Sequence, residues 1–184
     1  METFKEFESS DLSCLEDVLG KKLDDIFLVP VAGLLSEVDM FVINFGENLE
    51  VRFHVFAAIR VIEKNKILLT SSDYYFDKDR NLLSLDEQEI TRKNGFQNTL
   101  LEQNINNLKV VLKDSVVIRA NSNSIGDIFL EFSNGVVIEI RINAIYNDFE
   151  CYRIIIGTEE NNVHHFVEYN NGKLLYSAEC YSPE

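Results

Sequence analysis

The chain has 184 residues, of which 46% are apolar and 26% charged, and its 31 acidic against 17 basic side chains give a net charge of −14. That length fits one domain, residues 1–184, able to bury roughly 70% of the surface it exposes unfolded, and the composition is not that of a disordered tail or a fibre. A surface this acidic repels phosphate backbones, whose affinity for proteins comes from Lys and Arg displacing counterions, so neither nucleic acid nor an anionic membrane is an expected partner.

The acidity is not a tail: residues 1–92 carry 10 basic against 19 acidic side chains, and residues 93–184 carry 7 against 12. Such a field speeds encounter with a basic protein. There is no apolar run near the length of a membrane span, and METFKEFESSDL lacks the basic and apolar regions of an export signal. The expected location is therefore the cytoplasm. Cys14, Cys151 and Cys180, odd in number and unrelated in spacing, suit reduced thiols better than a disulfide framework.

In chain order, the first pattern is helical. Leu12, Leu15, Leu19 and Leu23 recur at steps of three, four and four, with Ser10 or Asp11 as N-cap and Gly20 as terminator. DDIFLVPVAGLL then reads as an edge strand, or as two pieces parted near Pro30. Strands follow at 39–45, 48–55, 58–62 and 66–72. From Asp73 to Asn98 the chain turns polar, which predicts a long surface excursion with room for one short helical turn. A second helix is marked by Leu101, Ile105, Leu108 and Leu112, opens on a Thr99/Glu102 capping box and ends near Lys109. Beyond it SVVIRAN, DIFLEF, VVIEIRI, CYRIIIG, VHHFVEY and KLLYSAE alternate as strands. Asn134-Gly135 predicts a two-residue type I′ turn between DIFLEF and VVIEIRI, and NNG at 170–172 marks a second hairpin.

The expected fold class is α+β: mainly antiparallel sheet, two helices, and two pseudo-repeated halves, about 1–97 and about 98–184. FGENLEVRFHV (45–55) laid on FSNGVVIEIRI (132–142) matches Phe45 to Phe132, Val51 to Ile138 and Phe53 to Ile140. AAIRVI (57–62) and CYRIII (151–156) each place an arginine before apolar residues. An internal duplication accounts for this, and so does the common alternation of antiparallel strands.

The order of LGKKL, MFVINFG, AIRVI and SSDYYFD, then GDIFLEFSNGVVIEI and DFECYRIIIG, resembles a loose group of small bacterial proteins, some of which resemble immunity proteins of polymorphic toxin systems. The likeness covers roughly residues 12–75 and 125–157 and carries no catalytic signature. It implies a cytoplasmic bacterial protein that binds rather than turns over.

Chemistry-bearing motifs are missing from the sequence: no glycine-rich phosphate loop, zinc-binding pair or nucleophile elbow occurs. No catalytic, cofactor or metal residue is therefore designated. His164 and His165 are adjacent in a strand and face opposite sides, so only one can join any single site. The segment SSDYYFDKD is the expected contact surface, with Asp73, Tyr74, Tyr75, Asp77 and Asp79 as partner-binding residues. Aromatic side chains there supply buried contact and the acids steer a basic partner. Asp148 and Glu150 offer a weaker version of the same mixture. The leading expectation is a protein-binding module of the immunity type that occludes a basic partner such as a toxin. The alternative is a small ligand-binding domain or enzyme with a pocket between the halves. A third reading is a homo-oligomer paired through an edge strand.

Overall fold

Apolar residues at alternate positions bury one side of most strands, and among the described residues twelve strands assemble into two antiparallel sheets that share one core. The computed structural model describes residues 4–31, 38–142, 149–158 and 160–181. The seven-stranded sheet runs β1 (Lys5–Glu6), β12 (Lys173–Tyr181), β11 (Asn162–Asn170), β10 (Phe149–Gly157), β4 (Val51–Val55), β3 (Val38–Phe45) and β2 (Leu23–Val31). The five-stranded sheet runs β6 (Lys66–Thr70), β5 (Ala58–Glu63), β9 (Val136–Arg141), β8 (Ile128–Phe132) and β7 (Val117–Ser122). With the helices added, the class is α+β dominated by antiparallel sheet, as the alternation predicts.

The order of strands exposes an internal relation. Strands β2, β3 and β4 form a meander, after which β5 crosses to the other sheet and pairs with β9. Strands β7, β8 and β9 form a second meander, after which β10 crosses the opposite way and pairs with β4. Both meanders open with the same irregularity: the register slips between Leu23 and Asp25 in one and between Val117 and Arg119 in the other. Leu23 lies opposite Phe45, and Val117 lies opposite Phe132. The preceding residues, Lys22 and Val116, form an antiparallel bridge with each other. Phe45 and Phe132 stack across the core with ring centroids 6.4 Å apart. An approximate two-fold axis therefore passes beside that bridge and between those rings.

This geometry corrects the ungapped match of the two hairpins. Phe45 is followed by Val51 as the first residue of the return strand, but Phe132 is followed by Val136. Val51 thus corresponds to Val136, Phe53 to Ile138 and His54 to Glu139. The arginines keep their expected match: Arg153 lies opposite His54 as Arg60 lies opposite Glu139.

Turn chemistry departs from expectation in an instructive way. Gly135 has φ +84° while Asn134 stays outside the left-handed region, and Gly135 N–H donates to Phe132 O at 2.8 Å. The connection is a three-residue loop with a glycine bulge, not a type I′ turn. At Asn171 and Gly172, by contrast, φ is positive at both residues, and Asn170 pairs with Lys173. The type I′ turn belongs there.

The first helix is 3-10 over Ser9–Val18, bent at Leu12, and buries Leu12, Cys14, Leu15 and Val18. A three-residue period removes Leu19 from the buried stripe, and Leu19 is exposed. Its opening is tied by Asp11, which accepts from Glu8 N–H at 2.9 Å. The polar excursion is also more ordered than expected. It holds a second 3-10 helix (Ser71–Tyr75) and α1 (Leu85–Lys93), which opens on a Ser84/Glu87 capping box. Helix α2 (Leu100–Leu112) runs three residues past Lys109 and buries Leu101, Ile105, Leu108 and Leu112. Only half of its expected box forms: Thr99 caps Glu102 N–H, while the Glu102 carboxylate accepts from Asn98 N–H at 2.9 Å.

Candidate functional site

The segment 71–79 is shaped first by its own hydrogen bonds. Asp73 accepts from Thr70 N–H at 3.0 Å, from the Thr70 hydroxyl at 2.8 Å and from the Asn104 amide at 2.8 Å. It closes the 3-10 helix and ties it to α2. Tyr74 is half-buried against Phe96, with centroids 5.5 Å apart, and its hydroxyl donates to that of Tyr75 at 2.5 Å. Burial, with that hydrogen bond second, raises the Tyr74 phenol above its ordinary range. Asp77 accepts from Asn81 through side chain and backbone and from Asp79 N–H, which holds its carboxyl below the usual range. Asp79 and Tyr75 face solvent. Glu150 is held by the Arg153 guanidinium at 2.8 and 3.1 Å, and Asp148 lies outside the described residues. The structure thus holds Asp73, Tyr74, Tyr75, Asp77 and Asp79 on one segment that follows β6, while Glu150 lies on β10 of the seven-stranded sheet.

Beside that segment, β6 and α2 flank an open cleft of about 650 Å³, lined in part by Asp73, Lys66, Asn107, Ile67, Val110 and Val111. Three of its apolar members are unusually bare, Ile67 at 54% exposed, Val110 at 76% and Val111 at 40%, while Leu69, Leu100 and Leu108 beneath them are buried. No sequence pattern singled them out, because Val110 and Val111 sit within an apolar run that reads as core. The helical stripe of Leu101, Ile105, Leu108 and Leu112 leaves both on the far side, and that was the available signal. The space between the two halves is filled: Phe45, Phe53, Phe132, Ile138 and Ile140 are all fully buried there.

The outer faces of the two sheets differ in how their charged groups are paired. On the five-stranded sheet, Glu139 accepts from Arg60 at 2.9 and 2.6 Å and from Arg141 at 3.2 Å. Arg141 also pairs with Asp127 at 3.1 Å and lies over the Phe129 ring. On the seven-stranded sheet the pairing places two adjacent rows. One holds Asn44, Arg52, Ile155, His164 and Glu179; the other holds Val42, His54, Arg153, Phe166 and Ser177. Arg153 packs over Phe166, with its guanidinium carbon 4.4 Å from the ring centroid. Burial, followed by the charges of Arg153 and Arg52, lowers both His54 and His164 to about 4. The sequence shows that His164 and His165 face opposite sides of a strand but does not connect His54 or His164 with Arg52 and Arg153. That connection needs the strand order, which no local pattern carries.

His165 lies on the inner face, with Nδ1 2.7 Å from the Tyr176 hydroxyl. Burial, the leading cause in each case, pushes the thiols of Cys14 and Cys151 up to about 12, so neither is a ready nucleophile, and Cys180 is exposed. Among the described residues no cluster of His, Cys, Asp or Glu is arranged to hold a metal ion, and no helix is long and apolar enough to cross a membrane. No protein-family model, curated protein or solved structure matches the chain.

Proposed function

We propose that the chain is a protein-binding module of the immunity type, working in the bacterial cytoplasm, which occludes a basic partner protein without a covalent step. The observation that carries this reading is the cleft between β6 and α2, where exposed Ile67, Val110 and Val111 are rimmed by polar side chains. An apolar patch with a polar rim is the usual form of a protein contact site. Covering it contributes about 25 cal/mol per Å² of apolar surface removed from water. The cleft itself is mixed in charge, with Glu63 and Asp73 beside Lys66, Lys78 and Arg80. The net charge of −14 therefore acts on the rate of encounter, and the apolar side chains act on the lifetime of the complex. Asp73 and Asp77, each held in local hydrogen bonds, contribute to the field more than to direct contact.

The test is association with the basic protein encoded beside this chain. Mixing at equal amounts should give a complex whose association slows as salt rises, while Val110→Asp shortens its lifetime about tenfold or more. Val110 is exposed, so that substitution leaves the fold intact. Salt-independent association, or no complex with a neighbouring basic product, overturns the reading. The alternative of a small-ligand site draws its support from the seven-stranded sheet's outer face and not from the space between the halves.

A further inference from the structure

The outer face of the seven-stranded sheet sets two arginines and two histidines among the carboxylates of Glu150, Glu168 and Glu179, and leaves part of that set unpaired. Arg52 and His164 flank Ile155 in one row of the seven-stranded sheet, and His54 and Arg153 stand side by side in the next. Arg153 has a carboxylate partner, Glu150. Arg52 does not: its Nε–H is buried and unpartnered among the described residues. Three further buried polar atoms without partners lie in these same rows: Asn44 Oδ1, His164 Nδ1 and Ser177 Oγ. Asn44 and Ser177 are only 7% and 4% exposed. Polar groups withdrawn from water normally find a partner within the protein, and a concentration of unpaired ones on one face points to an external partner.

The internal two-fold says what kind of partner. Arg153 and His54 correspond to Arg60 and Glu139, and on the five-stranded sheet the Glu139 carboxylate fills the space between two guanidinium groups. His54 replaces that carboxylate on the seven-stranded sheet, and Arg52 adds a second cation one row away. We propose that this face, built by Arg52, His54, Arg153 and His164, binds a carboxylate group supplied from outside the chain. Arg52 offers the planar fork that matches a carboxylate. His164 offers a ring nitrogen, and the Ser177 hydroxyl a further donor. Phe166, covered by Arg153, forms an apolar floor. The site is independent of the cleft between β6 and α2.

Imidazole NMR tests this on the intact chain. Succinate, added at constant ionic strength against chloride, should shift the titrations of both His54 and His164 upward with a Kd on the order of 1 mM. His165, on the inner face, should not move. Arg52→Gln should abolish the response. His54→Glu should abolish it too and should itself raise His164, because it installs the carboxylate that the other sheet already holds; circular dichroism checks that both variants fold. A short peptide carrying glutamates, titrated in the same way, separates the sources: a response equal to or tighter than succinate's assigns the group to an acidic protein segment, and a response to succinate alone assigns it to a free acid. The proposal is overturned if succinate shifts the histidines no more than chloride does, if the response persists in Arg52→Gln, or if inorganic phosphate acts where succinate does not.

Discussion

Arg60 and Arg153 occupy corresponding places on two related sheets and meet different neighbours across the strand pair. Arg60 faces Glu139, which also holds Arg141; Arg153 faces His54 and turns along its own strand to Glu150. One face is charge-balanced by groups within its own sheet. The other keeps Arg52 and two histidines whose protonation is disfavoured by their surroundings. The same backbone frame thus carries a closed polar network in one half and an open one in the other. The difference comes from side chains and from added strands: the meander, its crossing strand and the opening bulge are shared, but β12, which carries Ser177 and Glu179, has no counterpart in the five-stranded sheet.

The strongest challenge to this comparison is aimed at the axis itself. Phe45 and Phe132 are fully buried and stack on each other. Truncation of either to Ala should lower stability by about 3–5 kcal/mol, read from urea or guanidinium unfolding midpoints. Because the rings touch, the double variant should cost less than the two single losses added together. A large inequality between the single variants, or strict additivity, would break the claim that the two positions are equivalent.

A smaller effect sharpens the contrast between the faces. Glu139→Gln removes the shared acceptor of Arg60 and Arg141. Its side chain is 11% exposed but those of the arginines are 42% and 39% exposed, so screening limits the loss to about 1–2 kcal/mol. His54→Gln, at the corresponding place, should change stability by no more than about 0.5 kcal/mol, because a neutral ring is exchanged for another neutral polar group. Equal losses for the two variants would mean that the faces are alike after all.

Much of this frame is legible in the sequence, for reasons tied to particular residues. Alternation in VRFHV and VVIEIR gives strands whichever partners they find, and Leu101, Ile105, Leu108 and Leu112 specify a helix through their spacing alone. The first helix misled because Leu12, Leu15, Leu19 and Leu23 fit an α-helical period, while the buried Leu12, Leu15 and Val18 recur at steps of three, the period of a 3-10 helix. Helix α1 was readable from Ser84 and Glu87 but has no buried residue, so hydrophobic periodicity is silent there. The crossing of β5 and β10 between sheets is invisible locally: a strand's sequence states that it pairs, not with which meander. Everything distinctive about the outer faces follows from that crossing, and the acids of SSDYYFDKD stood out in the sequence only because their capping and turn partners were not yet in view.

The finest discrimination is electrostatic. His54 and His164 titrate at about 4 in the folded chain against 6.5 in an unfolded one. The folded state therefore binds fewer protons over that interval, and the stability tied to these histidines is complete above about 6.5 and lost as pH falls toward about 4. The charged groups on their face are Arg52, Arg153 with its partner Glu150, Glu168 opposite Glu150, and Glu179; Asp25, at the sheet edge, is engaged by Lys109. Burial is the larger cause of the depression and Arg153 the next. Arg153→Gln should accordingly raise both histidines by the smaller share of that depression, since it removes a cation and releases the Glu150 charge, and the acid loss of stability should shrink with them. Arg60→Gln, the corresponding change on the other sheet, should leave both titrations where they are. If the two substitutions shift His54 and His164 alike, the field is a property of the whole chain and the faces are not electrostatically distinct; if only Arg153→Gln acts, the cation opposite His54 holds both rings neutral near neutral pH, a depression that a bound carboxylate would oppose.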